Sequence, residues 1–95
     1  ASIVKLMITK QLTIINKLGL HARAAAKMAT LTNTFNCRIK VTANSKNVDG
    51  KSVMALMLLA AAKATPITIE CAGVDEVIAM ENICVLINNF FDEDE

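Results

Sequence analysis

A chain of 95 residues that is 54% hydrophobic and 20% charged suits one compact domain with a buried core, which excludes a disordered chain. With no Trp, no Tyr and three Phe, it lacks the aromatic platform on which nucleic-acid bases stack. Its longest apolar run, Val53 to Ala62 between Lys51 and Lys63, is far short of the roughly 20 residues of a membrane span, so neither nucleic acid nor membrane insertion is expected. The net charge of +1 conceals a split. No acid precedes Asp49, whereas Lys5, Lys10, Lys17, Arg23, Lys27, Arg38, Lys40 and Lys46 do, and the chain ends in Asp92-Glu93-Asp94-Glu95. Such a division predicts one positive face, suited to phosphate or an acidic partner, and a solvated acidic tail over 92–95. The N-terminal residues show no signal-peptide layout, so the expectation is a cytoplasmic chain forming a single domain over 1–95, with 1–6 an extension ahead of the first element.

In chain order, Leu12 and Ile14 alternate with Gln11, Thr13 and Ile15, a strand period. A loop, Asn16-Lys17-Leu18-Gly19-Leu20-His21, follows with a glycine break. Ala22 to Phe35 are strong helix formers, with Ala25, Met28, Ala29 and Thr32 on one face. Cys37, Ile39 and Val41 alternate with Arg38, Lys40 and Thr42 as a second strand with one wet face. Asn44-Ser45 predicts a turn into a short strand over Lys46 to Val48. Asp49 to Ser52 open a second helical stretch, capped by Ser52 and stopped by Pro66. Ile67, Ile69 and Cys71 mark a fourth strand, after which Gly73 breaks the chain and Asp75 can cap. Val77, Met80, Cys84, Ile87 and Phe91 then make a helical stripe. The order βαββαβα, with short loops and one-sided strands, predicts an α+β open-faced β-sandwich: a four-stranded antiparallel sheet with three helices on one face.

Cys37, Cys71 and Cys84 are odd in number and lack C-x-x-C spacing, so they predict small buried residues rather than disulfides or a zinc site, and no metal or cofactor is expected. Gly50-Lys51-Ser52 is not a nucleotide-binding loop, because that motif needs glycine where Ser45 stands. Among the reactive groups, His21 is the chain's one histidine. It stands immediately before a helix whose first amides and dipole favour an anion. Arg23, two positions on, can offer a charge-assisted fork to phosphate oxygens. A neutral imidazole is a competent nucleophile near neutral pH, and a phosphoramidate passes its group onward. No second histidine and no carboxylate before Asp49 accompany it, so a relay completed by partners fits better than an independent enzyme. A lone histidine in a loop also fits a plain surface or capping residue.

Leu18-Gly19-Leu20-His21-Ala22-Arg23 closely resembles the active-site signature of the HPr family, histidine-containing phosphocarriers of the bacterial phosphoenolpyruvate-dependent phosphotransferase system. Gly50-Lys51-Ser52-Val53-Met54 resembles that family's second signature, and the resemblance runs from about Leu12 through nearly all the rest of the chain. It implies that His21 is phosphorylated on Nδ1, taking the group from enzyme I and passing it to an enzyme IIA-type acceptor. It further implies that Arg23 steadies the phosphate, with Ala22 in the cradle, and that Ser52 matches a serine that a dedicated kinase modifies in some bacteria. Leu20, Val53, Met54 and Met57, rimmed by Lys27 and Lys51, would form the docking patch for both partners of a monomeric carrier. Of the apolar residues after Ser52, Leu56 and Leu59 are expected inside and the methionines nearer the edge.

One departure stands at Ala24, where the family usually has proline; alanine keeps the helix but leaves the loop less fixed and supplies one more N–H. Ser52 to Leu56 and Phe91 to Asp94 resemble the nitrogen-related branch of the family somewhat more than the sugar-transport branch. The alternative of a different class is a regulatory interaction module of the same fold that performs no transfer; its expected mark is loss of the histidine.

Overall fold

The computed structural model describes residues 7–95, so the extension over 1–6 lies outside the described residues. The elements are β1 (Ile8–Thr13), α1 (Ala22–Thr32), β2 (Arg38–Ala43), β3 (Lys46–Asp49), α2 (Val53–Leu58), β4 (Pro66–Ala72), α3 (Glu76–Asn88) and a 3-10 turn, Phe90–Asp92. All pairings are antiparallel in the sheet order β1-β4-β2-β3, with Ile39 opposite Cys71 and Val41 between Ile69 and Val48. This is the expected α+β open-faced sandwich. Ile39, Val41, Ile67, Ile69 and Cys71 turn one face of the sheet to the core, while Arg38 and Lys40 stand on the wet face. Asn44 and Ser45, both with positive φ (50° and 65°), make the tight hairpin between β2 and β3.

Ala24, Ala25, Met28, Ala29 and Thr32 bury the inner face of α1. The helix ends three residues short of Phe35, because the Thr34 and Phe35 amides turn to the carbonyls of Leu31 and Thr32. Thr32, fully buried, donates to the Gly50 carbonyl at 2.8 Å, which ties the end of α1 to the start of α2. Gly50 is itself held close: a Cβ there would lie 2.6 Å from the Ile39 Cγ2.

Three expectations need correction. The second helix stops at Leu58 and does not run on toward Pro66. The alanines that follow favour helix, but Ala60 is left-handed (φ 52°) and the Ala61 carbonyl is committed to the Leu20 amide at 2.9 Å. Tertiary contact overrides propensity there. In α3 the buried stripe is Ala79, Met80, Ile83 and Ile87, whereas Val77 is exposed and Cys84 only half-buried. Val77, Ile78 and Val85 make the outer face apolar too, so hydropathy alone cannot choose the side. Asp75 occupies the N-cap position but does not cap. Its two carboxylate oxygens instead accept the amides of Asn36 (2.7 Å) and Cys37 (2.8 Å), clamping the approach to β2 against the start of α3. Cys37 and Cys71 are buried as expected, and burial pushes the Cys71 thiol up to about 12, which keeps it protonated and inert.

The loop that carries His21 is fixed by Gly19. Its φ is +67°, and a Cβ there would sit 2.5 Å from the Ala61 carbonyl oxygen and 2.8 Å from the Ala62 Cα. Gly19→Ala therefore meets both a left-handed backbone and a clash with main chain; we expect a loss of more than about 1 kcal/mol, read by denaturant unfolding. The hydrogen bonds from Asn36 and Cys37, opposed only in part by desolvation, hold the Asp75 carboxyl below its ordinary value. Its contribution is thus present above the usual carboxylate range and lost as pH falls through its lowered folded value. Asp75→Asn should lower the melting temperature at neutral pH, with the gap from wild type closing in strong acid.

Candidate active site

His21 is the N-cap residue of α1, with extended backbone (φ −76°, ψ −179°). It is placed there by the Gly19 turn, by the Leu20–Ala61 hydrogen bond and by Asn16, whose Nδ2 donates to the Gly19 carbonyl at 2.8 Å. The Ala25 amide bonds the His21 carbonyl at 2.8 Å and starts the helix ladder. No side chain caps the amides ahead of it, those of Ala22, Arg23 and Ala24. Such amides at the positive end of an 11-residue helix favour an anion beside the imidazole. The His21 side chain is 27% exposed and can be reached from solvent.

A neighbouring concavity is lined by Lys17, Leu18, Arg23 and Lys27 together with residues 92–95, of which Glu93 reaches His21. Of the cations that precede Asp49, Lys17, Arg23 and Lys27 converge here from the loop and α1, while Arg38 and Lys40 stand on the wet face of the sheet. What composition did not foresee is that the acidic tail returns to this cluster. Asp92, Asp94 and Glu95 remain exposed, as expected of a solvated tail, with Lys27–Asp92 and Lys17–Glu95 pairs at 3.5 and 3.4 Å. Pairs this exposed contribute at most about 1 kcal/mol each. Glu93 differs, because its side chain is only 14% exposed. Its Oε1 accepts from Asn16 Nδ2 at 2.8 Å, and its Oε2 lies 2.6 Å from His21 Nε2. Partial desolvation raises the Glu93 pKa, but hydrogen bonds from Asn16 and His21 and the nearby charge of Arg23 outweigh it and hold the carboxyl below its usual range.

The second signature lies at the start of α2. Ser52 is its N-cap, and its Oγ accepts the Ala55 amide at 3.2 Å. Beyond it Met54, Met57 and Leu58 are exposed and Val53 borders on exposure, whereas Leu56 and Leu59 are fully buried, as the sequence suggests. One assignment changes. Leu20 is 5% exposed and belongs to the core, so it offers no docking surface; the Gly19 turn directs Leu18, 66% exposed, to solvent instead. Lys51, half-exposed just before α2, donates to the Phe35 carbonyl at 2.6 Å. Asn16 and Glu93 were missed altogether. An asparagine read as loop and a glutamate in a charge run carry no local pattern that tells them from solvated residues, and only the turn at Phe90–Asp92 brings them together.

Comparison with known proteins agrees with this geometry. The family model described as the PTS HPr component phosphorylation site matches residues 8–89. A phosphocarrier protein HPr of Pseudomonas putida is 51% identical over 94% of this chain and all of its own length. A phosphocarrier protein NPr of Shewanella violacea is 40% identical over 88% of this chain and 92% of its own. Among solved structures, an HPr of Thermoanaerobacter tengcongensis superposes with a TM-score of 0.88 at 32% identity, covering 93% of this chain and 99% of that one. On fold, site and sequence together, the chain belongs to the HPr family of phosphocarrier proteins of the phosphotransferase system.

Proposed function

We propose that His21 is the residue that carries the phosphoryl group, receiving it from phospho-enzyme I and yielding it to an enzyme IIA-type acceptor. The observation that carries this reading is the placement of a solvent-reachable imidazole at the uncapped N-terminus of α1, with Arg23 and Lys27 on the first turns of the same helix. Attack by an imidazole nitrogen splits the overall transfer into two steps, each completed in a partner's active site. The helix amides and Arg23 hold the phosphoryl oxygens without burying them, which suits a group that must leave again. Met54, Met57 and Leu58, exposed beside the cap of α2, supply the apolar surface onto which partners dock, and Leu18 extends it on the side of the site. Among the described residues no helix is long and apolar enough to cross a membrane, and a carrier that visits two partners in turn works in the cytoplasm.

Ser52 has a structural task whether or not it is modified, since its hydroxyl closes the first turn of α2. A phosphate there would place a dianion beside Val53 and Met54 and repel an acidic, apolar partner surface. The relatives named HPr and NPr are both similar to this chain, and transfer onto a sugar-permease or a nitrogen-related enzyme IIA domain decides which branch it serves.

The test of the carrier reading is intact mass after incubation with enzyme I, magnesium and phosphoenolpyruvate. One phosphate that is labile to acid, stable to base and absent from His21→Ala supports it. No phosphate on the wild-type chain, with an enzyme I of proven activity, points to a regulatory interaction module of the same fold. At the second signature, Ser52→Ala should lower stability by about 1 kcal/mol through loss of the cap. Ser52→Asp keeps a capping oxygen and should leave stability near wild type while weakening enzyme I binding about tenfold, measured by calorimetric titration.

A further inference from the structure

The carrier reading makes no use of Glu93, yet three separate features deliver its carboxylate to His21. The first is backbone. After α3 the chain reverses through Phe90, Phe91 and Asp92, all left-handed (φ 58°, 52° and 63°), a conformation that residues with a Cβ avoid. Phe91, fully buried, anchors the reversal in the core, and Glu93 follows directly from it. The second is Asn16. It is wholly buried, and it donates one amide hydrogen to the Gly19 carbonyl and the other to Glu93 Oε1, so the loop before His21 and the tail are held by one side chain. The third is the contact itself, His21 Nε2 to Glu93 Oε2 at 2.6 Å.

We infer that Glu93 is a positioning residue for the phosphoryl transfer: it accepts the Nε2 hydrogen of His21, fixes the imidazole in the tautomer with its lone pair on Nδ1, and balances the positive charge the ring gains as Nδ1 bonds phosphorus. The inference rests on the carrier reading given above. An ionised carboxylate is acceptor-only, so at 2.6 Å the shared hydrogen must belong to Nε2. A neutral imidazole has one N–H, and Nδ1 is then left as the nucleophile. In the transfer, the Nδ1 lone pair forms the N–P bond while the donor's bond to phosphorus breaks, its electron pair staying with the donor. No proton has to leave the ring. The N-phosphorylated ring keeps Nε2–H and is cationic, with Glu93 against that hydrogen, and onward transfer reverses each change. In the opposite tautomer Nδ1 bears the hydrogen and cannot attack, so every molecule held in it is idle until the ring exchanges its proton. The logic is that of a carboxylate orienting a catalytic histidine from behind. Asp92 and Glu95 do not share the role, since each pairs with an exposed lysine.

The experiment compares wild type, Glu93→Gln and Glu95→Gln. Long-range 15N–1H correlation spectra of His21 report the tautomer, and rapid-quench kinetics with limiting phospho-enzyme I report the rate. Wild type should show a protonated Nε2 and an unprotonated Nδ1. Glu93→Gln should shift both nitrogens toward a tautomer mixture and slow phosphorylation about tenfold or more, the usual effect of losing a carboxylate behind a histidine. Glu95→Gln should match wild type in both. A wild-type tautomer and rate in Glu93→Gln overturn the proposal while leaving the carrier reading intact, and so does an equal slowing in Glu95→Gln, which would mean that tail charge alone matters. A wild-type chain that accepts no phosphoryl group removes the carrier reading and this proposal with it.

Discussion

Gly19 and the Ala61–Ala62 backbone approach so closely that no side chain fits between them, and the geometry of the site depends on that contact. It forces the loop after β1 into a left-handed turn, sends Leu20 into the core and Leu18 to solvent, and hands the chain to α1 with His21 at the cap. The same contact ends α2, because the Ala61 carbonyl that would serve a longer helix is taken by the Leu20 amide. The loop that carries His21 and the segment that follows α2, far apart in sequence, are thus joined by one backbone packing constraint. A change at either side would move the imidazole relative to the apolar surface on α2, and transfer depends on reacting groups meeting within a few tenths of an ångström.

Electrostatics adds a second layer. A carrier must attract phosphate enough to accept it and must not bind it so well that it is kept. On the proposed function, the uncapped amides of α1 and the cations Lys17, Arg23 and Lys27 beside them would provide the attraction. The tail's Asp92 and Glu95 form only exposed pairs with Lys27 and Lys17, which salt screens and which leave the site little changed, whereas Glu93 meets His21 from a nearly enclosed position. Three cations of the basic first half and the acidic end thus meet at one site.

Most of the architecture is legible in the sequence because it is written in periods. Strand alternation at Ile39/Val41 and Ile67/Ile69/Cys71, the Asn44-Ser45 turn and the inner face of α1 all appear in the structure as read. The cap at Ser52 is legible for the same reason, being a local chemical pattern. What fails is whatever depends on distant partners. Alanines after Leu59 favour helix until Leu20 claims a carbonyl, Asp75 looks like a cap until two amides from the α1–β2 loop take it, and α3 is apolar on too many sides to declare its inner face. At the site, His21 and Arg23 are legible through their place before and within a helix and through the family signature. Asn16 and Glu93 are not, because their meaning arises from a turn of three left-handed residues that no glycine announces.

The central claim is that this chain carries phosphorus on Nδ1 of His21 while Nε2 stays protonated against Glu93. The most direct measurement is through-bond 31P–15N coupling in the 15N-labelled phosphoprotein, which identifies the ring nitrogen bonded to phosphorus. The account predicts coupling to Nδ1 of His21 and a hydrogen retained on Nε2. Coupling to Nε2, or phosphorus found on any other residue, would contradict it.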